Sequence, residues 1–249
     1  MKNTAVIILA AGKGTRMKSA TAKVLHCIRE KPMIQYVTNT AVRLAGSDVI
    51  VVVGTQADQV KAVVSEVYPD VRFAFQKEQL GTGHAVLCAI PELCDNIEHV
   101  LILCGDVPFL KLSTLTKLID AHIWQKNIIT LVGSVIDNPR GYGRLIIDPQ
   151  NRVSRIVEEA DATADEKTIK LINTGIYCVH RRSLETMIRQ VRPDNTQNEI
   201  YLTDIIEIAS KQGAGIGMVK CEDSNEILGI NTIHDLEKAE SVLMTHEKP

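Results

Sequence analysis

The stretch L-A-A-G-K-G-T-R-M runs from Leu9 to Met17 and completes a run of apolar, mostly β-branched residues that begins at Ala5. A strand with apolar residues on both faces is typical of the centre of a parallel sheet. Two glycines and two basic residues, Lys13 and Arg16, come directly after this strand. Small residues let backbone N–H groups approach an anion, and basic side chains add full charges. The stretch therefore predicts an α/β fold with a triphosphate-binding loop after its first strand.

This loop does not match the two best-known glycine-rich patterns. The dinucleotide fingerprint needs a third glycine where Met17 stands. The Walker pattern needs a Gly-Lys-Ser/Thr triplet, which neither Gly12 nor Gly14 provides at the required distance. An ordinary tight turn between a strand and a helix is the alternative that the loop by itself leaves open.

Composition indicates an ordinary globular protein. The chain has 249 residues, of which 45% are hydrophobic and 23% charged, and its formal net charge is −2. Because no strong positive field is present, nucleic acid is not an expected partner. No stretch approaches the ~20 apolar residues that a membrane span needs. The six cysteines form no C-x-x-C pair, so we expect buried thiols and a cytoplasmic location.

The first third of the chain has a regular strand–helix alternation. Strands are predicted at Ala5–Leu9, Asp48–Val53 and Val71–Phe75 from their apolar, β-branched composition. Between them, helices are predicted from Pro32 to the stop at Gly46 and from Ala57 to Val67. A β-α-β-α-β order predicts a parallel sheet with right-handed crossovers.

A second glycine-containing loop, Q-K-E-Q-L-G-T-G-H-A, extends from Gln76 to Ala85 after the third predicted strand. The side-chain amides of Gln76 and Gln79 donate and accept hydrogen bonds together, as the edge of a uracil requires. Gly81 and Thr82 would let backbone come close to a ring or a ribose. The alternative is a helix N-terminus, predicted at His84, with a threonine cap.

Two oxygen-bearing residues are candidate magnesium ligands. Asp106 follows the predicted strand Val100–Leu103, and a carboxylate just beyond a buried parallel strand lies in the usual ligand crevice. Asn231 could supply a second oxygen, since Mg²⁺ held mainly by substrate phosphates needs only one or two from the protein. An aspartate in a turn before proline is the common alternative for Asp106.

Three further polar residues have both a functional and a purely structural interpretation. Lys23 stands where the chain returns toward the phosphate loop, although most single lysines are exposed surface residues. Glu158 and Asn173 could hydrogen-bond sugar hydroxyls and an amide, or could be polar groups of a turn or a sheet edge.

Together these motifs resemble the sugar-nucleotide pyrophosphorylase superfamily, and within it the uridylyltransferase domains that act on N-acetylglucosamine 1-phosphate. The resemblance extends from about residue 4 to about residue 240. It is carried by L-A-A-G-K-G-T-R-M, Q-L-G-T-G-H-A from Gln79, G-D-V-P from Gly105, G-Y-G-R from Gly141, V-E at Val157 and I-N-T-G from Ile172.

The resemblance implies a Rossmann-like α/β fold of the nucleotide-diphospho-sugar transferase type, with a mostly parallel sheet flanked by helices. It implies a single nucleotidyltransferase domain over residues 1–249. Residues 1–110 would form the nucleotide-binding half and 111–232 the sugar-binding half, followed by a C-terminal helix and tail at 233–249.

The implied reaction joins UTP and N-acetylglucosamine 1-phosphate to give UDP-N-acetylglucosamine and pyrophosphate by metal-assisted in-line attack. Arg16 and Lys23 would bind the phosphates, and Asp106 and Asn231 would hold Mg²⁺. The nucleoside would contact Ala11, Gly12, Gln76, Gly81 and Thr82. The sugar would contact Gly143, Glu158 and Asn173, with Thr203 near the sugar phosphate.

The sequence departs from the resembled pattern in two places. Cys104 stands where a tyrosine is expected, which could alter sugar packing. The hexapeptide repeats of the acetyltransferase part of bifunctional relatives are absent, so the chain is either a stand-alone transferase or a piece of a longer protein. The oligomeric state stays open. Another sugar substrate such as glucose 1-phosphate, or a non-catalytic nucleotide-sugar sensor, is the alternative function.

Overall fold

The computed structural model describes residues 3–246, with side chains described as far as residue 241. Eleven strands and seven α-helices lie within residues 3–246. The strands are β1 (Thr4–Leu9), β2 (Cys27–Ile28), β3 (Lys31–Pro32), β4 (Val49–Val53), β5 (Arg72–Phe75), β6 (His99–Cys104), β7 (Ile129–Val135), β8 (Arg144–Ile147), β9 (Val153–Val157), β10 (Leu171–His180) and β11 (Ile216–Lys220). The helices are α1 (Met33–Ala45), α2 (Ala57–Ser65), α3 (Thr82–Ala89), α4 (Leu112–Trp124), α5 (Arg181–Ile188), α6 (Asp204–Lys211) and α7 (Ile233–His246).

Nine of these strands form one sheet, whose central order is β11-β7-β10-β6-β1-β4-β5. Strand β1 is parallel to β4 and β6, and β4 is parallel to β5, which confirms the predicted β-α-β-α-β arrangement. Strand β10 runs antiparallel to both β6 and β7, while β8 and β9 join the sheet beside β10 through the pair Ile172 and Arg144. The sheet is mostly parallel in its central order, with one inserted antiparallel strand.

Helices cover both faces of the sheet. On β1, Val6 and Ile8 face one side and contribute to a core shared with helices α1, α2 and α4. Ala5 and Ile7 face the other side and contribute to a core shared with α3, α5 and α6. Because alternate residues of a strand point to opposite faces, a strand covered on both faces needs apolar residues throughout. The predicted α/β fold with helices on both faces is confirmed.

Several element ends differ from prediction; helix α2, for example, ends at Ser65 rather than at Val67. Helix α1 does stop at Gly46, whose φ of 61° is accessible to glycine. Helix α3, however, begins at Thr82 rather than at His84, and it ends at Ala89, where Pro91 interrupts the hydrogen-bond ladder. The β2–β3 hairpin was not predicted, because two-residue strands carry too little periodicity to detect.

The sheet continues through both predicted halves of the domain, and the division at residues 110 and 232 remains a prediction. Residues 1–2 and 247–249 of the predicted domain lie outside the described part of the chain. Across residues 3–246, no helix is both long enough and apolar enough to cross a membrane.

Candidate active site

A cleft of about 520 Å³ opens at the carboxyl ends of β1, β5 and β6. Nine of the thirteen predicted site residues line it, which are Ala11, Gly12, Arg16, Lys23, Gln76, Gly81, Thr82, Asp106 and Asn231. The remaining part of the wall includes Lys13, Gly14, Thr15, Gln79, Ala85, Cys104 and Glu199. The carboxyl edge of a parallel sheet is the position at which α/β proteins generally bind ligands.

The phosphate loop after β1 packs closely against Lys23. Gly14 has a φ of 60°, and a Cβ atom there would lie 2.6 Å from the Cβ of Lys23. Glycine is therefore required at position 14 both for its backbone conformation and for this close approach. Met17 is 1% exposed and anchors the end of the loop in the protein interior.

Charged and polar groups meet at Lys23. Its ammonium Nζ lies 2.5 Å from Asp106 Oδ2 and 3.2 Å from Asn231 Oδ1. Arg16 donates from Nη2 to the same Asn231 oxygen at 2.8 Å. The side chains of Lys23 and Asp106 are only 16% and 17% exposed. The surface-lysine interpretation of Lys23 is therefore wrong, and the Asp106 carboxylate is paired with a cation.

Backbone contacts hold Asp106 and Asn231, the two candidate metal ligands, in place. The carbonyl of Asp106 accepts a hydrogen bond from the N–H of Ile230 at 2.9 Å, which ties the segment before α7 to the end of β6. Asn231 donates its backbone N–H to Asp235 Oδ2 at 3.0 Å, so the first turn of α7 fixes its position. Residues separated by 125 positions in the chain are thus brought side by side.

The opposite wall of the cleft carries the predicted nucleobase residues. Gln76 is 3% exposed, and its Nε2 donates to the Gly81 carbonyl at 3.0 Å and lies 3.1 Å from His84 Nδ1. Gly81 has a φ of 106°, and a Cβ atom there would lie 2.6 Å from the carbonyl oxygen of Ile200. The hydroxyl of Thr82 accepts the N–H of Leu202 at 3.0 Å, so it does not cap α3.

The four predicted sugar-binding residues form a cluster of their own beside this cleft. Thr203 donates from Oγ1 to Glu158 Oε1 at 3.1 Å, and a Cβ at Gly143 would lie 3.2 Å from Glu158 Oε2. Asn173 donates its N–H to the Gly143 carbonyl at 2.8 Å. Burial raises the pKa of Glu158, while the Thr203 hydrogen bond acts in the opposite direction. None of the four lines the cleft itself.

Cys104 lies at the border of the cleft, next to β10. It lines the cleft, and its Sγ lies 3.6 Å from the carbonyl oxygen of Gly175 on β10. Burial, together with the nearby Asp106 carboxylate, raises the pKa of the Cys104 thiol to about 12. A thiol that remains protonated is a poor nucleophile, so Cys104 acts as packing between the cleft and β10.

A family model described as Nucleotidyl transferase matches residues 5–225 of this chain. The chain belongs to the nucleotidyl transferase family. For a nucleotidyl transferase, the convergence of a glycine loop, two basic side chains and two oxygen donors at one sheet edge is the arrangement that phosphoryl-group transfer requires.

Relatives of this nucleotidyl transferase share its sequence over nearly its whole length. It is 45% identical to "Bifunctional protein GlmU" of Pelobacter propionicus over 243 residues, which are 98% of this chain and 53% of the relative. It is 42% identical to the protein of the same name from Caldicellulosiruptor saccharolyticus, covering 97% of this chain and 52% of the relative. The chain spans about half the length of the curated relatives it matches.

A solved structure confirms the fold at lower identity. A protein from Bacillus anthracis, described as a glucose-1-phosphate thymidylyltransferase in complex with sucrose, superposes with a TM-score of 0.75 and 20% identity. The match covers 96% of this chain and 94% of that chain. At this identity the likeness establishes the nucleotidyl transferase fold and nothing finer.

Sequence reasoning missed Glu199, which lines the cleft of this nucleotidyl transferase, and two residues that contact cleft residues, Ile200 and His84. The segment around Glu199 and Ile200 closes over the second glycine loop, because Gly83 donates its N–H to the Ile200 carbonyl at 2.8 Å and Ile200 donates to Leu80 at 2.8 Å. These contacts join positions more than a hundred residues apart, so no local sequence signal could have revealed them. His84 was seen only as part of a motif, and its contact with Gln76 was not anticipated.

Proposed function

We propose that this chain transfers a uridylyl group from UTP to N-acetylglucosamine 1-phosphate, giving UDP-N-acetylglucosamine and pyrophosphate. The observation that carries the proposal is the convergence of Arg16, Lys23, Asp106 and Asn231 at one end of a cleft whose other wall holds the buried Gln76 amide. The motifs that resemble uridylyltransferases and the relatives named GlmU support the choice of substrates.

The reaction needs charge compensation and positioning rather than a protein nucleophile. An oxygen of the sugar phosphate attacks the α-phosphorus of UTP in line, and the bond to pyrophosphate breaks on the opposite side. The attacking phosphate is already ionised at neutral pH, so no general base is required. Because both reactants are anions, the role of Arg16 and Lys23 is to bind and neutralise the phosphates as they approach.

The oxygen donors of the site fit a magnesium ion. Nucleotidyl transferases generally use a divalent metal. Asp106 Oδ2 and Asn231 Oδ1 already share one cationic group, the Lys23 ammonium, and carboxylate and amide oxygens are the ligands that Mg²⁺ prefers. Within residues 3–241, no cluster of three or more His, Cys, Asp or Glu side chains could hold a metal ion.

Asp106 and Asn231 would therefore hold Mg²⁺ together with phosphate oxygens of the substrate. When bound, the ion would neutralise charge on the transferring phosphate. An ammonium group and a metal ion compete for the same two oxygens, so Lys23 would turn toward the phosphates in the loaded site. All six cysteines are free thiols, which supports a reducing, cytoplasmic setting for the reaction. The expectation that they are buried is wrong for Cys27 and Cys94, which are exposed.

Pyrophosphate release tests the proposal. We expect UTP with N-acetylglucosamine 1-phosphate to give the highest kcat/KM in a panel that also contains CTP and glucose 1-phosphate, and release to stop when EDTA removes the metal. Faster turnover of glucose 1-phosphate would assign another sugar substrate. Binding of UDP-N-acetylglucosamine without any pyrophosphate release or consumption would indicate a sensor instead of an enzyme.

A further inference from the structure

The side-chain amide of Gln76 has its nitrogen engaged on two sides. Its Nε2 donates to the Gly81 carbonyl at 3.0 Å and lies 3.1 Å from His84 Nδ1. A backbone carbonyl can only accept, so the Gly81 contact requires the NH₂ group of Gln76 on that side. The orientation of this amide is therefore set by the chemistry of its neighbours.

The second contact of the Gln76 nitrogen is with the imidazole of His84. Because Gln76 supplies the proton, His84 Nδ1 is the acceptor, and the ring proton lies on Nε2. That second nitrogen faces Cys88 Sγ at 3.9 Å, four residues further along α3. The two acceptors, the Gly81 carbonyl and His84 Nδ1, together engage both protons of the Gln76 NH₂ group.

The carbonyl oxygen of Gln76 is then the atom left for a ligand. Among the described residues, none donates a hydrogen bond to Gln76 Oε1, and this oxygen is not among the fully enclosed polar atoms that lack partners. Gln76 is almost fully buried, and it lines the cleft. Gln76 therefore offers a ligand in the cleft a hydrogen-bond acceptor, Oε1, and no hydrogen-bond donor.

The geometry points to His84 as a positioning residue that makes the Gln76 amide select uracil over cytosine. The inference rests on the proposed uridylyl transfer and deepens it. The N3 atom of uracil carries a proton and can donate to Gln76 Oε1, whereas N3 of cytosine is an acceptor and is repelled by that oxygen. Buried polar groups left without a partner make such discrimination strong.

Loss of the His84 acceptor releases one of the two constraints on the amide. Gln76 then rotates more easily to present its NH₂ group, which cytosine accepts. A purely structural role of His84 would lower turnover of both nucleotides together and leave their ratio unchanged.

The test compares kcat/KM for UTP and CTP, each with N-acetylglucosamine 1-phosphate, in the full chain. His84→Phe keeps a ring but has no acceptor, and His84→Leu is a second acceptor-free variant in case the first does not fold. We expect the UTP/CTP ratio to fall about tenfold in both. His84→Asn can again offer an oxygen to Gln76, and we expect it to restore most of the ratio. Cys88→Ala, which removes the other contact of the ring, should leave the ratio within twofold of the wild type.

An unchanged ratio in folded acceptor-free variants overturns the role of His84 while leaving uridylyl transfer intact. An equal fall in Cys88→Ala also overturns it, because the effect would then come from general disturbance of α3. A wild type that uses CTP as well as UTP removes the uridylyl specificity of the proposed function itself, and the inference with it.

Discussion

Lys23 is the residue on which the charge balance of the cleft depends. It is the shared partner of Asp106 and Asn231 and is largely withdrawn from solvent. A cation held in a partly buried site interacts more strongly with phosphates than an exposed one, because water screens it less.

For Lys23→Ala we expect kcat/KM for pyrophosphate release to fall about 100-fold, the usual effect of removing one electrostatic contact to a developing charge. Lys77→Ala is the matched control, since Lys77 is an exposed lysine next to Gln76 that does not line the cleft. A folded Lys23→Ala enzyme with at least a third of the wild-type rate would remove this residue from the mechanism.

Cys104 is the cleft residue that departs from the resembled pattern. The sequence marked it as a departure, with tyrosine expected at this position. In the structure the thiol packs between the cleft and Gly175 on β10, and its raised pKa keeps it protonated. The side chain at this position shapes the border of the cleft beside β10.

A group of histidines joins three elements of the fold away from the cleft. His122 on α4 stacks edge-to-face on His99 of β6 at 5.1 Å, and His99 in turn lies 6.0 Å from His180 of β10. His122 is 1% exposed and donates to or accepts from Thr130 at 3.0 Å. Burial, and secondarily the neighbouring histidines, lower the pKa of His122 to about 4.

Because of this histidine group, the free energy of unfolding should fall at acidic pH. The pKa of His122 lies below its ordinary value of 6.5, so the folded state binds fewer protons than the unfolded state below that pH. Stability is unaffected above about pH 6.5 and is lost as pH falls toward 4. Burial and His180 also lower the pKa of His99, with Glu98 acting in the opposite direction.

We expect the free energy of unfolding in urea to fall by about 2 kcal/mol between pH 7.5 and pH 5.0 through His122 alone. His122→Phe should remove that part of the pH dependence, although it also loses the Thr130 contact at both pH values. His234→Gln, a change at an exposed histidine of α7, should follow the wild-type profile. Equal pH dependence in His122→Phe and wild type would show that His122 is not the source of this loss of stability.

At the scale of the whole molecule, the sheet brings the cleft with the predicted nucleotide-binding residues and the cluster of predicted sugar-binding residues near one edge. The loops after β1 and β5 form the first, while Gly143, Glu158, Asn173 and Thr203 come from the region around β8–β10 and the start of α6. Because none of the four predicted sugar-binding residues lines the cleft, we expect a change in either group to affect the binding of one substrate.

For Glu158→Gln we expect KM for N-acetylglucosamine 1-phosphate to rise about tenfold, as for loss of a charge-assisted hydrogen bond, while KM for UTP stays within twofold. The variant should fold well, since it replaces a half-buried carboxylate whose pKa is raised by burial and can still accept from Thr203. Asp165→Asn, at an exposed carboxylate nearby in the chain, is the control. Equal increases of both KM values would refute the proposal that Glu158 serves the binding of the sugar phosphate alone.

Much of the fold could be predicted because its signals are local. The apolar run from Ala5, the alternation of strands and helices to Phe75, and the stop at Gly46 follow from neighbouring residues. The glycine loop and Asp106 could be selected as candidate site residues because each stands directly after a predicted strand. Lys23 was selected from its place where the chain returns toward the loop and from the resemblance. The β2–β3 hairpin, the start of α3 and the direction of β10 could not.

The sequence by itself determined that this is an α/β chain with a glycine-rich loop after its first strand and motifs of a nucleotidyl transferase. Only the tertiary structure decided that Lys23 lies between Asp106 and Asn231, that Ile200 closes over Gly81, and that His84 holds the Gln76 amide. The physical reason is that periodicity and turn chemistry act over a few residues, whereas the first two of these contacts join distant parts of the chain. The third depends on the rotation of an amide, which no residue pattern encodes.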